Sequence, residues 1–240
     1  MNDFSVLDET DIWKLSNRET LVLYSHESDI EDVILYHVFH EINNIFYIDV
    51  GANDPWLYSV TKLLYDKGAH GINIEPIQEI ADLYLEERPR DITVCTGIGV
   101  ERCTRTLFLQ GALCGSTSTV IEENCIVDNA KQISIDIYPL KDVCNKYISD
   151  KQEIHFLKID AEGAEKEVLL EADFAKYRPW CVVTESTLPG TDIPCYDEWE
   201  SLLFSNAYHF VFSHGVNRYY VADEHREIDE RFIPVEELLN

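Results

Sequence analysis

The sequence predicts an α/β fold with a doubly wound sheet, and three observations predict it. Residues 46–54 read FYIDVGAND, a short apolar run that ends in an acid and a glycine turn. Residues 70–76 read HGINIEP, a second such run that also closes on an acid. Further apolar runs alternate with helical patterns along the rest of the chain, as parallel strands joined by crossover helices require.

Taken in order, residues 1–45 read as a mostly helical N-terminal cover, because VILYHVF (33–39) with Ile42 and Ile45 supplies an apolar face. Residues 46–240 read as one globular unit, with no linker rich in Pro, Gly or Ser and no internal repeat. Phe46, Tyr47, Ile48 and Val50 suit a strand buried on both faces, and Gly51 permits the tight turn that follows. Asp54-Pro55 suits a helix start and places a helix near 56–67. Strands near 71–75 and 92–96 flank a helix near 77–87. An insert follows, in which TRTLFLQ (104–110) and ISIDIY (133–138) alternate like half-exposed strands. A strand near 154–159, a helix near 163–175, a strand near 180–184, a helix near 196–205 and a closing pair near 208–213 and 218–222 complete the pattern. The ligand crevice of such a sheet lies outside the carboxyl ends of its strands, where Asp49, Glu75, Gly97, Asp160 and Glu185 fall.

The first two runs point to a ribose-bearing ligand. Glu75 follows Gly51 by about 24 residues, close to the roughly 20-residue offset at which this kind of fold presents an acid to ribose hydroxyls. A pyrophosphate would need the spacing G-x-G-x-x-G, yet Gly51 is followed by Ala52, Asn53 and Asp54. An anion at the turn repels phosphates and tolerates S-adenosylmethionine, which carries a sulfonium and an ammonium instead.

FLKIDAEGAEKEV holds the second chemical cluster. Asp160 ends its strand at the crevice, and Glu162 follows in the loop. Period-two alternation puts Lys158 on the side of Phe156 and Asp160, where its ammonium needs water or an acid. Asp160 and Glu162 are the candidates for the reaction centre, whereas Glu165 reads as structural, at a helix start. Of the histidines, His37 and His40 read as packing or surface residues and His155 as structural. His214, in the turn FSHGVNRYY, is a further candidate base.

Four blocks carry a family resemblance: DVGANDPWLYSVTKLLYDKGAHGINIEP (49–76), FLKIDAEGAEKEVL (156–169), RPWCVVTEST (178–187) and GVNRYYV (215–221). In this order they resemble the FkbM-type methyltransferases, over about residues 45–222. The resemblance implies a Rossmann-like class I methyltransferase sheet with helices on both faces, and S-adenosylmethionine-dependent O-methylation, often of sugars. Asn217 and Arg218 match the last block, but His214 stands where the family pattern often has Asp. The expected cofactor-binding residues are Asp49, Gly51, Ala52, Asn53, Ser59, Glu75, Pro76, Gly97, Ile98 and Asp160. The expected substrate-binding residues are Lys158, Glu185, Asn217 and Arg218, and the expected catalytic ones Asp160, Glu162 and His214.

Composition narrows the partners. Among 240 residues, 45 are acidic and 19 basic, for a net charge of −26. Such a field opposes docking on nucleic acid or anionic membranes, so the expected partner is a small molecule or glycan. Seven cysteines include no C-x-x-C pair, and no metal site is expected. With no apolar run long enough to span a bilayer and no basic-then-apolar start, the expectation is a soluble cytoplasmic protein without membrane insertion. The leading reading is methylation of a sugar hydroxyl in a nucleotide-linked precursor or a surface glycan. A nicotinamide-dependent oxidoreductase and a non-catalytic binding module that kept the cofactor fold stay open.

Overall fold

The computed structural model describes residues 12–14, 20–26, 28–109, 118–119 and 131–232. Its first half contains β1 (Ile12–Lys14), β2 (Thr20–Val22), α1 (Glu31–Phe39), β3 (Phe46–Val50), α2 (Lys62–Asp66), β4 (His70–Ile74), α3 (Gln78–Glu87) and β5 (Ile92–Val94). The insert contributes β6 (Gly97–Ile98), β7 (Cys103–Leu109), β8 (Ser118–Thr119) and β9 (Lys131–Tyr138). Then come α4 (Leu140–Tyr147), β10 (Phe156–Ile159), α5 (Glu165–Leu170), β11 (Cys181–Glu185), α6 (Glu200–Ser205), β12 (Tyr208–His214) and β13 (Asn217–Ala222).

The main sheet has the order β12-β13-β11-β10-β3-β4-β5. Strands β5, β4, β3, β10 and β11 are parallel, and β13 runs antiparallel to both of its neighbours. The chain starts this sheet in the middle, at β3, winds outward through β4 to β5, and then returns to β10 on the other side of β3. That reversal defines a doubly wound, Rossmann-like fold, and the crevice where ligands bind lies at the switch between β3 and β10.

Alternation along the strands explains the layers. Tyr47, Phe156, Cys181 and Val183 bury one face of the sheet against Val33 and Ile34 of α1 and Leu63 and Leu64 of α2. Ile48, Val50, Leu157, Ile159 and Val182 bury the other against Val143 of α4, Val168 of α5 and Leu203 of α6. Strand β3 is buried along its whole length, as its apolar run requires. The insert forms a second sheet, β6-β9-β7-β8, whose Leu107, Leu109, Ile135 and Ile137 pack on Ile80 and Tyr84 of α3.

Several elements differ from the sequence expectation. The helix expected over 56–67 is confined to Lys62–Asp66. Its first half is turn, because Asp54 accepts N–H bonds from Trp56 and Leu57, Tyr58 is left-handed, and buried Ser59 accepts a bond from Arg88. Within the expected helical cover, α1 is the helix, while Ile12–Lys14 and Thr20–Val22 pair as antiparallel strands. Helix α5 is shorter than the 163–175 expected, and 196–205 divides into a 3-10 turn at Tyr196–Glu198 and α6. Cys181 is buried in the core, and Cys114 and Cys125 lie outside the described residues. No helix among the described residues is long and apolar enough to cross a membrane.

A polar knot sits inside the first apolar layer. Arg88, with no exposed surface, donates to Asp91, Ser59, Thr61 and the Tyr47 hydroxyl. Asp91 also accepts from Tyr47, the Gly71 backbone and Asn73. Removing one partner of a buried, fully bonded ion pair leaves the other charge stranded. Arg88→Met is therefore expected to lower stability by about 3–5 kcal/mol in urea denaturation.

Candidate functional site

At the switch point, Gly51 adopts φ 76°, and a Cβ there would sit 1.8 Å from the carbonyl oxygen of Asp160. Only glycine lets the turn after β3 lie directly against the loop after β10. The next turn residue, Asn53, is also left-handed (φ 51°), and its backbone N–H donates to Glu75 Oε2 at 2.9 Å. Glu75 Oε1 accepts from the Ile77 N–H at 2.8 Å, so this one buried carboxylate clamps the ends of two loops. Burial pushes its acid up to about 7 despite those bonds.

These turns border an open cavity of about 120 Å³. Gly51, Asn53, Glu75, Pro76, Gly97, Ile98, Asp160 and Glu162 line it, all of them singled out in the sequence. Asp49, Ala52, Ser59, Lys158, Glu185, Asn217, Arg218 and His214 are not among its lining residues. The cavity also takes in Ile77, Ile80, Thr96 and Ala161, and from the insert Arg105, Leu107, Ile135 and Ile137. Sequence reasoning missed the insert residues. Their signal was an amphipathic strand pair whose apolar face needed something to cover.

The residues outside the lining have other partners. Ala52 is packed in the core between α3 and the insert, and Ser59 belongs to the Arg88 knot. Asp49 is buried on the opposite sheet face, accepting a bond from Thr61 at 3.0 Å. Asn217 donates to Glu31 at 2.9 Å. Arg218 donates to Glu200 and Tyr220 and stacks on Tyr196 and Phe210. His214 ends β12 opposite Asn217, which in turn lies opposite Glu185. It therefore stands two strands beyond Glu185, roughly 10 Å away at ~4.8 Å per strand.

Around the end of β10, the charges gather. Lys158 is 4% exposed, and its Nζ donates to Asp160 Oδ2 at 3.1 Å and to the Gly51 carbonyl at 3.4 Å, with Asp49 Oδ1 at 3.8 Å. Burial alone would lower its pKa, but Asp160, Asp49 and Glu31 outweigh burial and raise it above the ordinary lysine range. Glu162 is pushed up to about 8 by burial and by the charges of Asp160 and Glu165. Glu185 is also raised, by burial and by Asp160 and Glu162. Glu165, as expected of a structural residue, accepts the N–H groups of Ala161 and Gly163 and so holds the loop that carries Glu162. Among the described residues, no three or more His, Cys, Asp or Glu form a group placed to hold a metal ion.

A doubly wound sheet with a buried acid after its second strand, an apolar cleft beside it and no phosphate cradle defines a nucleoside-cofactor domain of the methyltransferase class. The family described as "Methyltransferase FkbM domain" matches residues 49–210, and the chain belongs to that family. S-adenosylmethionine is its cofactor. The cavity lining, which combines acids with apolar side chains and has a single arginine among the described residues, is chemically compatible with a group that carries ribose hydroxyls, a base and positive charge. Among solved structures, the chain is similar to a TehB-like SAM-dependent methyltransferase from Corynebacterium glutamicum, at 9% identity over 80% of this chain and 84% of that one, with a TM-score of 0.39. No curated protein matches it.

Two outcomes follow from these acids. Glu75→Ala is expected to weaken S-adenosylhomocysteine binding by about 1.5–3 kcal/mol, the range for a hydrogen bond to a charged group, as read by titration calorimetry. Stability is expected to fall with rising pH. Glu31, buried at the start of α1, is pushed up to about 8 by burial, and Glu162 is raised likewise. Above the ordinary Glu pKa of about 4.3, and up to these folded values, the folded chain binds more protons than the unfolded one. Their stabilisation is thus complete at low pH and lost as pH rises through about 8. The melting temperature should be lower at about pH 8.5 than at about pH 7, and Glu31→Gln should shrink the difference.

Proposed function

We propose that the protein methylates a hydroxyl oxygen of a sugar, with Glu162 or Asp160 receiving the hydroxyl proton. The observation that carries this reading is the placement of both carboxyl groups in the wall of the cavity that also contains Glu75. When bound, S-adenosylmethionine supplies an already activated methyl group. What remains for the protein is to place an acceptor oxygen in line and to take its proton. Glu162, raised to about 8, has a pKa close to the working pH at which a general base is most effective.

The electrostatics favour a neutral glycan over a nucleotide-linked precursor. A pyrophosphate would need free cations, and the basic residues Lys158, Arg178 and Arg218 are all engaged. Lys158 is shared between Asp160 and Asp49, Arg178 is forked onto Glu224, and Arg218 is held by Glu200. Among the described residues of the cavity wall Arg105 is the one cation, and Glu167 pairs with it. The net charge of −26 adds a general repulsion toward polyanions.

Incubation with S-adenosylmethionine and a panel of neutral sugars and glycans, followed by mass spectrometry, should show the mass gain of one methylene on an acceptor. With that acceptor, Glu162→Gln is expected to lower kcat by about 10²- to 10⁴-fold if it is the base, and His214→Gln to leave it unchanged. The wild-type kcat should then rise with pH and level off above about 8, since the base acts deprotonated. Loss of turnover in His214→Gln alone would move the base to the turn after β12.

A further inference from the structure

Tyr58 is held in a conformation that a bulky side chain rarely adopts. Its φ is 60°, and yet the residue stands 44% exposed in the loop after β3. Its neighbours fix this arrangement, since Asp54 accepts the N–H groups of Trp56 and Leu57 and Arg88 holds the buried Ser59 hydroxyl. Glycine would meet the same backbone demand at lower strain and without exposing an aromatic ring. Core packing therefore does not account for the tyrosine, whereas strain of this kind collects at binding sites.

The ring has a second ring beside it. His26 lies 5.4 Å away, centroid to centroid, with the planes tilted by 38°. His26 belongs to a short strap that precedes α1. Its Nδ1 lies 2.7 Å from Ser28 Oγ, and Asp29 Oδ1 accepts the Val216 N–H at 3.1 Å in the turn between β12 and β13. Gly215 in that turn has φ 55°, and a Cβ there would meet Asp29 Oδ1 at 1.9 Å, so strap and turn are in direct contact. Because β10 and β11 lie between β3 and β13, a strap that touches the loop after β3 and the turn before β13 crosses their carboxyl ends. Alternation sets the side chains it passes. Asp160 shares the side of Lys158 and Phe156, and Glu185 that of Val183, which is the face covered by α1. Glu31, which opens α1 just after the strap, accepts a bond from Asn217, and Asn217 lies opposite Glu185. The aromatic pair thus stands at the edge of the carboxylate cluster.

We propose that Tyr58, braced by His26, is the platform on which the ring of the acceptor sugar stacks. This rests on the sugar-methylation reading of the same crevice. A sugar ring carries C–H groups on its faces and hydroxyls around its edge. An exposed aromatic ring takes the face and leaves the hydroxyl edge to the carboxylates of Asp160, Glu162 and Glu185. Such a contact needs no charge on the ligand, in keeping with a crevice whose lysine and arginine are already paired with acids.

The test uses the full chain with a sugar or glycan that the wild type methylates. Tyr58→Gly should raise KM for that acceptor about tenfold and hold kcat within about threefold. The Kd of S-adenosylhomocysteine, read by titration calorimetry, should stay unchanged. The melting temperature should hold or rise, because glycine relieves the left-handed strain. Tyr58→Phe should keep the wild-type KM, since the ring carries the contact. Tyr58→Asn, which also tolerates this conformation, repeats the measurement if Tyr58→Gly does not fold. A wild-type KM in Tyr58→Gly overturns the platform, and a KM raised equally in Tyr58→Phe transfers the contact to the hydroxyl and overturns stacking. A fall in melting temperature with acceptor KM and cofactor Kd rising together also overturns it, as the mark of a residue that only holds the loop. A wild-type protein that methylates no sugar or glycan would instead refute the reading on which the platform depends.

Discussion

One buried ammonium organises the centre of this molecule. Lys158 lies on a central strand, between Asp49 and Val183 in register, where a charge costs several kcal/mol unless it is compensated. Compensation comes from Asp160, the Gly51 carbonyl and Asp49. Asp160 and Gly51 belong to the two turns at which the sheet changes direction, and Asp49 to the strand beside them, so the cost of burying the ammonium is fully offset only while both turns stay in place. The glycine at 51 makes the approach sterically feasible, and the lysine makes it favourable.

The same charge extends through a polar seam beneath the sheet. Asp49 accepts from Thr61, Thr61 accepts from Arg88, and Arg88 pairs with Asp91. Two cations, Lys158 and Arg88, thus anchor a layer that is otherwise apolar. At the crevice end the balance tips the other way, since Asp160, Glu162 and Glu185 share one lysine with buried Glu31. Burial first, and then that excess of acid over base, keep Glu162 and Glu185 prone to hold a proton.

Much of the main sheet was legible because buried parallel strands are short apolar runs with few alternative uses. Phe46–Val50 and Tyr208–His214 fell within a residue of their expected bounds. Elements decided by distant contacts were not legible. Residues 55–61 carry a reasonable helix pattern, but Arg88 draws Ser59 and Thr61 into its own bonds and the helix starts later. The strand pair before α1 depends on pairing that no local pattern announces. At the site, strand-end acids could be read from topology. Asn217 and Arg218 could not be sorted, because the acids that bind them, Glu31 and Glu200, lie far away in the sequence. The insert's role escaped because alternation shows that a strand has an apolar face, and says nothing about what that face covers.

The glutamates illustrate why residue type alone could not assign roles here. Asn53 and Glu162, both lining the cavity, hold left-handed conformations that cost an ordinary residue roughly 1–2 kcal/mol. Each is kept there by a carboxylate elsewhere. Glu75 binds the N–H of Asn53 itself, and Glu165 binds the N–H groups on either side of Glu162. Glu75 and Glu165 are therefore backbone clamps first, and Glu75 alone of the two also opens onto the cavity. Glu162 makes no such clamp, and its carboxyl group is poised by burial and by like charge. Three glutamates around the crevice thus differ through the backbone they hold or leave free, a distinction that exists only once the turns after β3 and β10 have been brought together by Lys158.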